Sequence, residues 1–248
     1  MDFKDFFSHN SSDYLQYRPQ YPAQLFDFIM NQSYNNDLAV DVGCGNGQAT
    51  IELGNRFRSV IGFDPSRSQI EQAISHPKVE YRIGKAENLH LDDHSADLLT
   101  VAQAIHWFNV DLFLKEVKRV VKPNGLLAFW TYQKPIFEGD IMDCISNFYE
   151  IIQPFWPEDR KFVDEGYESI NPPFQQIVSP IFYIERDFSL DLLLNYFATW
   201  SAVKNASLVK GEGFIKRQNE LIINSWQKIN TLNHIGISKV LLKLYRIN

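Results

Sequence analysis

The chain has 248 residues, of which 45% are hydrophobic and 22% are charged. This composition is typical of a globular protein with room for one large α/β domain and an appendage. The net charge of -6 argues against a large nucleic-acid interface, which needs a basic surface. No stretch approaches the roughly 18 consecutive apolar residues of a membrane span, and MDFKDFFSHN lacks the basic start and apolar run of a signal peptide.

Helices and strands alternate from the first predicted element. Apolar residues at helical spacing predict a helix over 22–32, with Pro22 at its start. A buried strand, a helix, a second buried strand and a helix capped near Ser66 follow, over 38–44, 48–57, 59–64 and 65–75.

The alternation continues through residue 132. Strands are predicted over 79–84, 96–104 and 126–132, and an amphipathic helix over 111–121 is ended by Pro123 and Gly125. Such alternation implies a Rossmann-like, doubly wound α/β fold, with a mostly parallel sheet covered on both faces and a core over about 22–135. Ligands bind beyond the carboxyl ends of such strands, so we expect the site just after positions 42, 63, 83 and 102.

The pattern changes after residue 135. A helix and an irregular aromatic segment predict an inserted helical and aromatic cap over about 136–174. Residues 175–188 predict antiparallel edge strands that Pro180 divides, and a helix begins at 189, with more helix predicted to the end of the chain. We expect a single domain over 1–248, in which strands and helices over 175–248 follow the cap.

Eight Lys or Arg residues stand between positions 204 and 246, against Glu212 and Glu220. We expect a solvated helix face; the alternative is that this basic tail attracts an anionic substrate. Cys44 and Cys144 have no CxxC partner, which predicts neither a disulfide framework nor a cysteine-based metal site. We therefore expect a cytoplasmic protein without a bound metal.

The strongest local signal is VDVGCGNGQ, in which Asp41 ends a strand and alternate glycines follow. Gly43, Gly45 and Gly47 let the backbone turn tightly and approach a ligand closely. A dinucleotide motif would have its third glycine at position 48, which is Gln48. A carboxylate at position 41 would repel a pyrophosphate but suits a ligand with positive charge. We favour such a ligand over a glycine turn that binds nothing.

The next strand ends in Asp64, 17 residues after the last glycine. An acidic side chain at this point accepts hydrogen bonds from the two vicinal hydroxyls of a ribose. The alternative is a carboxylate that caps the helix after Pro65. The glycine loop upstream favours ribose binding.

Five segments, VDVGCGNG, IGFDPS, GKAENL, HSADLLTVAQAIHWFN and VVKPNGLLAFW, together resemble a class I S-adenosylmethionine-dependent methyltransferase of type 11. SSDYLQYRPQYP, PFWPEDRKFVDEGYESINPPF and TWSA extend the similarity to the small-molecule branch that includes trans-aconitate methyltransferases. Of these segments, AQAIHWF is the most specific to this branch of methyltransferases. The resemblance implies S-adenosyl-L-methionine as cofactor and S-adenosyl-L-homocysteine as product.

The resemblance also implies a set of residues around the cofactor, which follow the strand ends. From the methionine part to the adenine edge, they are Asp41, Gly43, Cys44, Gly45, Gly47, Gln103, Ala104, Trp107, Asp64, Pro65, Ala86 and Glu87. Of these, Gln103 and Ala104 would lie by the transferring methyl group. Tyr14 and Arg18 would close over the cofactor, with Arg18 pairing with its carboxylate.

NPPF at 171–174 spells the motif by which amino-methyltransferases hold a nitrogen at the end of the fourth strand. In this chain AQAIHW already holds that place, and no buried strand precedes Asn171. We interpret NPPF as a proline turn in the cap.

His106 is the candidate catalytic residue, and its role depends on the acceptor. A sulfonium is an activated electrophile, so the main task of the protein is to position a nucleophile in a dry pocket. A carboxylate is ionised at pH 7 and needs no base, whereas a hydroxyl, an amine or an acidic carbon would use His106 as one. We expect His106 to line the pocket and donate a hydrogen bond to an anionic substrate. Trp156, Tyr167 and Trp200 are candidates for the acceptor pocket, with core packing as the alternative.

The sequence thus predicts methyl transfer to a small, acidic acceptor, with O-methylation of a carboxylate. Two alternatives stay open: methylation of a hydroxyl, nitrogen or carbon of another metabolite, and a non-catalytic protein that binds an adenosyl cofactor. We expect a monomer or homodimer with neither a nucleic-acid nor a membrane partner.

Overall fold

The computed structural model describes residues 17–229 and 232–248. The α-helices of this part of the chain are α1 (Ala23–Gln32), α2 (Gln48–Gly54), α3 (Arg67–Glu71), α4 (Val110–Val120), α5 (Ile141–Ile152), α6 (Arg160–Asp164), α7 (Leu190–Ala198), α8 (Ser201–Lys210) and α9 (Glu212–Lys228). The strands are β1 (Leu38–Val42), β2 (Ser59–Asp64), β3 (Val79–Ile83), β4 (Ala96–Ala102), β5 (Val121–Tyr132), β6 (Ile136–Phe137), β7 (Gln175–Ile177), β8 (Ile181–Ser189) and β9 (Asn233–Arg246). Short 3-10 turns cover Ile105–Trp107 and Gln153–Phe155.

The strands form one sheet in the order β3-β2-β1-β4-β5-β9-β6, with β7 and β8 also paired to β9. Strands β1 to β5 run parallel, and the pairs made by β9 are antiparallel. The predicted doubly wound, mostly parallel sheet is therefore confirmed. Its strand order reverses between β1 and β4, and at such a point the crossover connections leave in opposite directions and open a crevice at the carboxyl ends.

The prediction of helix to the end of the chain is wrong, because Asn233–Arg246 forms the long strand β9. One face of this strand is buried along its length, through the alternate residues Gly236, Ser238, Val240, Leu242 and Leu244. Its partners are β5 along one edge and β8 along the other, with Val240 opposite both Tyr132 and Phe182. Three residues of the basic tail, Lys239, Lys243 and Arg246, thus belong to a strand rather than to a helix face.

Two other boundaries differ from the prediction. The helix expected over 65–75 is limited to Arg67–Glu71. Strand β5 begins at Val121, upstream of the Pro123 expected to precede it. The β4–β5 register shifts between Ala96 and Leu98, and a proline, which cannot donate a ladder hydrogen bond, is tolerated at such an irregularity.

Apolar layers cover both faces of the sheet. On one face, α4 buries Phe113, Val117 and Val120, which recur at helical spacing, against β4 and β5. The Asn109 side chain caps this helix by accepting a hydrogen bond from the amide of Leu112 at 3.2 Å. On the other face, α1 and α2 cover β1 and β5. Within the described ranges, no helix is long and apolar enough to cross a membrane.

The segment predicted as a cap does not pack alone. Helix α5 shares an apolar cluster with α7, α8 and α9, where Phe148 stacks on Phe197 with ring centroids 4.8 Å apart. Trp200 lies in the same cluster, and its ring is 5.5 Å from that of Trp156. The late helices therefore complete the cap, because each covers an apolar face that α5 alone would leave exposed.

Candidate active site

The glycine loop after β1 has the left-handed backbone that only glycine adopts without strain. Gly43, Gly45 and Gly47 have φ of 69°, 54° and 97°. A methyl group added to Gly43 would lie 2.6 Å from the Cβ of Ala104, so the loop contacts the segment after β4 directly. A methyl group on Gly45 would have the Gln69 side-chain oxygen at 3.8 Å as its nearest neighbour. Gly45 is thus the position where the backbone borders open space that a ligand can enter.

Asp64, at the end of β2, is fixed by the same loop. Its carboxylate accepts hydrogen bonds from the backbone amides of Gly45 and Ser66, both at 2.9 Å. The Ser66 side chain, rather than Asp64, caps α3 by accepting from the amide of Gln69 at 3.4 Å. These two amides fix the orientation of the carboxylate. Its chemistry suits two vicinal hydroxyls.

Asp41 lies beneath the loop and is completely buried. Its carboxylate accepts hydrogen bonds from the hydroxyls of Thr50 at 2.7 Å and Thr100 at 2.8 Å. Burial raises the pKa of Asp41 to about 6, opposed by these two bonds and assisted by the charge of Asp64. Burial also raises the pKa of the Cys44 thiol beside it. Asp41 therefore acts on a ligand through the loop and through its charge, not by direct contact.

The residues after β4 form the opposite lip of the crevice. Gln103 has a left-handed φ of 58°, a strained conformation that concentrates at functional sites. It is held there by β5: the Thr131 hydroxyl donates to its side-chain oxygen at 2.7 Å, and its amide nitrogen donates to the Tyr132 carbonyl at 3.3 Å. Ala104 contacts the glycine loop at Gly43, and the position of Gln103 and Ala104 beside the transferring methyl group stays a prediction.

The residues predicted beside the adenine follow the ends of β2 and β3. Ala86 is buried and Pro65 is half-buried. The Glu87 carboxylate accepts a hydrogen bond from the Asn109 amide at 2.8 Å, which ties this segment to the start of α4. Tyr14, predicted to close over the cofactor, lies outside the described residues.

A cavity of about 80 Å³ adjoins this crevice and extends under the cap. It brings together six of the predicted residues: Arg18, Gln103, His106, Trp107, Trp156 and Trp200. The remaining lining residues are Tyr132, Gln133, Lys134, Pro157, Arg160, Val163, Tyr196 and Ser201. The cap, the end of β5 and the turn after β4 thus enclose one space next to the predicted cofactor position.

Three cations line this cavity, and among the described lining residues there is no carboxylate. Arg18 donates to the Tyr132 hydroxyl at 2.9 Å and to the Thr199 carbonyl at 3.2 Å. Arg160 pairs with Asp164 at 2.9 Å and lies 4.3 Å from the ring centroid of Trp156. Burial lowers the pKa of Lys134. Together these side chains make the cavity a site of positive potential.

His106 lies in the 3-10 turn after β4, and its Nδ1 is 2.9 Å from the hydroxyl oxygen of Tyr167. Burial, with a smaller contribution from the charge of Arg160, lowers the pKa of His106 to about 3. The imidazole is therefore neutral throughout the physiological range. Tyr167 itself is fully buried and does not line the cavity, so it reaches a bound acceptor through His106.

Sequence reasoning missed Tyr132, Lys134, Arg160 and Tyr196. Tyr132 ends β5 and Lys134 follows it, so the strand-end rule used for the other strands could have found both. Arg160 and Tyr196 come from α6 and α7, and no local pattern marks them, because their position depends on how the cap packs.

NPPF lies between α6 and β7, away from the end of β4. Asn171 is exposed, and its side-chain amide donates to the Ser169 carbonyl at 3.4 Å. This location agrees with a turn in the cap. None of the eight basic tail residues, all of which are described, lines the cavity.

Residues 40–129 match the family model of the methyltransferase domain. The chain is 37% identical over 204 residues to a protein of Dictyostelium discoideum named as a methyltransferase, which covers 80% of this chain and 78% of that protein. It is 31% identical over 171 residues to a Saccharomyces cerevisiae protein named as an S-adenosylmethionine-dependent methyltransferase, covering 64% of this chain and 57% of that protein.

A solved structure is similar to this chain over nearly its whole length. A protein of Anaeromyxobacter dehalogenans, named as a type II methyltransferase, aligns with a TM-score of 0.84 and 30% identity. The alignment covers 92% of this chain and 97% of that one. The likeness therefore includes the cap as well as the sheet.

Proposed function

The chain belongs to the methyltransferase family, and on that premise we propose that it transfers the methyl group of S-adenosyl-L-methionine to a small acceptor that carries a carboxylate. The narrower placement among trans-aconitate methyltransferases stays a prediction. When bound, the cofactor supplies an electrophilic methyl group on a positively charged sulfur.

The residues of the crevice fit this cofactor. The open side of Gly45 admits a ligand against the backbone, and the Asp64 carboxylate is oriented for the ribose hydroxyls. The buried charge of Asp41 lies below the loop, where it favours a ligand with positive charge. Gln103, on the opposite lip, borders both the cofactor crevice and the cavity.

The observation that carries the proposed acceptor is the charge of the cavity. Arg18, Lys134 and Arg160 supply cations, and the described lining contains no carboxylate; Asp164, which pairs with Arg160, lies outside it. An anionic group entering this space exchanges water for charge-assisted hydrogen bonds, which are the strong ones. A guanidinium also matches the planar geometry of a carboxylate.

The neutral state of His106 supports the same acceptor. A group with a pKa of about 3 is a poor base near pH 7. A carboxylate needs no base, because it is already ionised at that pH. Positioning by the cations and exclusion of water by the surrounding aromatic rings are then the contributions that the protein makes.

A panel of matched compounds tests this proposal. Carboxylic acids, and the primary amides and alcohols of the same carbon skeletons, are incubated with labelled cofactor and the products identified by mass. We expect methyl esters from acids, at a rate that changes little from about pH 6 to about pH 8, because the acceptor carboxylate is ionised throughout. Preferential methylation of the alcohols or amides would contradict the proposal.

Replacement of one cavity cation tests the charge directly. Arg160→Met should raise the KM for the acid roughly 10- to 100-fold, because one charge-assisted hydrogen bond is lost. Lys161→Met removes the same charge from the adjacent, exposed position and is the control. Equal effects of the two substitutions would mean that Arg160 acts only as a distant charge.

A further inference from the structure

The turn after α6 has an unusual backbone. Gly166 and Tyr167 are consecutive left-handed residues, with φ of 64° and 62°. A bulky residue in this region is an outlier that costs roughly 1–2 kcal/mol. A methyl group at Gly166 would lie 2.4 Å from a Leu241 side-chain carbon, so the first position requires glycine. The amide of Tyr167 donates to the Phe162 carbonyl at 2.8 Å, which closes the turn.

This strained turn directs the Tyr167 side chain inward. The ring is fully buried and packs edge-on against Phe129 at 5.9 Å. It also stacks on His106, with ring centroids 5.9 Å apart and planes inclined by 28°. The hydroxyl oxygen lies 2.9 Å from Nδ1 of His106. Core filling would need only a ring, whereas this position also brings a hydroxyl to one particular nitrogen.

The direction of this hydrogen bond follows from the two groups. A phenol, with a pKa of about 10, is a stronger acid than the N–H of a neutral imidazole, and an imidazole nitrogen is a better acceptor than a phenol oxygen. Tyr167 is therefore the donor, Nδ1 is the acceptor, and the ring proton of His106 resides on Nε2. With Nδ1 occupied, Nε2 is the nitrogen that can reach a molecule in the cavity that His106 lines.

We propose that Tyr167 is a positioning residue that holds His106 as the Nε2–H tautomer, so that His106 donates a hydrogen bond to the acceptor carboxylate and does not act as a base. The role at the acceptor rests on the proposed carboxylate substrate; the tautomer itself does not. Arg160, whose charge faces the same ring, opposes a second proton on His106 and so favours the neutral donor form.

Nitrogen NMR of the enzyme alone tests the tautomer. The protein is labelled at histidine nitrogens, and the His106 signals are assigned from their loss in His106→Gln. We expect a wild-type spectrum with an unprotonated Nδ1 and a protonated Nε2, and a mixture of tautomers in Tyr167→Phe, which keeps the buried ring. A protonated Nδ1 in the wild type, or an unchanged spectrum in Tyr167→Phe, would overturn the proposal.

Steady-state kinetics with an acid substrate test the consequence. Tyr167→Phe should raise the KM for the acid roughly threefold to tenfold with little change in kcat, the effect of one weakened hydrogen bond. The amide nitrogen of Gln mimics Nε2–H, so His106→Gln should retain more activity than His106→Ala. Adding Tyr167→Phe to His106→Gln should then have no further effect.

The outcomes separate the two proposals. An equal effect of Tyr167→Phe in the wild-type and His106→Gln backgrounds would overturn the positioning role, since Tyr167 would then act through packing alone. If the NMR shows the expected tautomer but acids are not methylated, the proposed substrate fails and the positioning of His106 by Tyr167 stands.

Discussion

The two walls of the crevice differ in the sign of their charge. The wall formed by β1 and β2 holds two buried carboxylates: Asp41, which lies beneath the glycine loop, and Asp64, which accepts a hydrogen bond from it. The wall beneath the cap presents Arg18, Lys134 and Arg160. A cationic cofactor and an anionic acceptor would each be attracted to its own wall and repelled by the other. The difference indicates that charge alone can sort the two reactants before any specific contact forms.

Removal of the carboxylate on the acidic wall should have the largest effect. Asp64→Ala is expected to weaken binding of S-adenosylhomocysteine roughly 100- to 1000-fold, because two hydrogen bonds to a charged group are lost. Calorimetry measures this change. The control is Asp92→Ala, which removes an exposed acidic charge. Similar affinities of wild type and Asp64→Ala would remove the basis for assigning this wall to the cofactor.

The buried charge below the loop should appear in the pH dependence of stability. The pKa of Asp41 is raised from 3.8 to about 6 in the native state, so the native protein binds more protons than the unfolded chain between these values. The contribution of Asp41 to the unfolding free energy therefore falls as the pH rises from about 4 to about 6. Asp41→Asn has no carboxylate at this position, so its unfolding free energy does not fall in this way. Relative to wild type, it should rise by on the order of 3 kcal/mol across that pH interval.

Urea denaturation of both proteins at several pH values measures this difference. Other titrating groups are common to the two proteins and cancel in the comparison. If the unfolding free energies of wild type and Asp41→Asn changed in parallel with pH, the Asp41 carboxylate would not be destabilised by burial.

A pair of glycine substitutions separates backbone strain from ligand contact. Gly43→Ala and Gly45→Ala both place a side chain at positive φ, which costs roughly 1–2 kcal/mol. Gly43→Ala adds an overlap with Ala104, worth roughly 1–3 kcal/mol more. We expect Gly43→Ala to have the lower melting temperature of the two variants. Gly45→Ala should lose more cofactor affinity than its loss of stability accounts for. The reverse order would mean that Gly45 does not border the ligand.

The basic tail should have the smallest effect. Lys216 and Arg217 are exposed on α9 and do not line the cavity. Replacing both by Gln should change kcat/KM for an acid less than about twofold at physiological ionic strength, because exposed charges are screened beyond about 8 Å. A larger loss, stronger at low salt, would assign the tail a part in attracting the substrate.

The acidic wall could be predicted from sequence because its parts are local. Asp41 and the glycines lie within seven residues, and Asp64 ends the next strand, so strand order alone brings them together. The cations of the other wall come from three separate segments: Arg18 precedes α1, Lys134 follows β5 and Arg160 begins α6. Their meeting depends on the packing of the cap, which no local periodicity encodes. The prediction of helix over the last strand is wrong for a similar reason. The apolar run at 240–242 interrupts the alternation that distinguishes a strand from a helix, and the strand is fixed by pairing with β5 and β8, which are distant in sequence.

The position of β9 has a consequence for the order of folding. This strand follows all the others described, yet it lies between β5 and β8 and pairs with four of them. On the ribosome, β5 would therefore have an unpaired edge until residues 233–246 emerge, although the glycine loop after β1 is made far earlier. An unpaired strand edge is a site for aggregation. The chain is thus most exposed to aggregation after the glycine loop has been made and before the strand that completes the sheet has emerged.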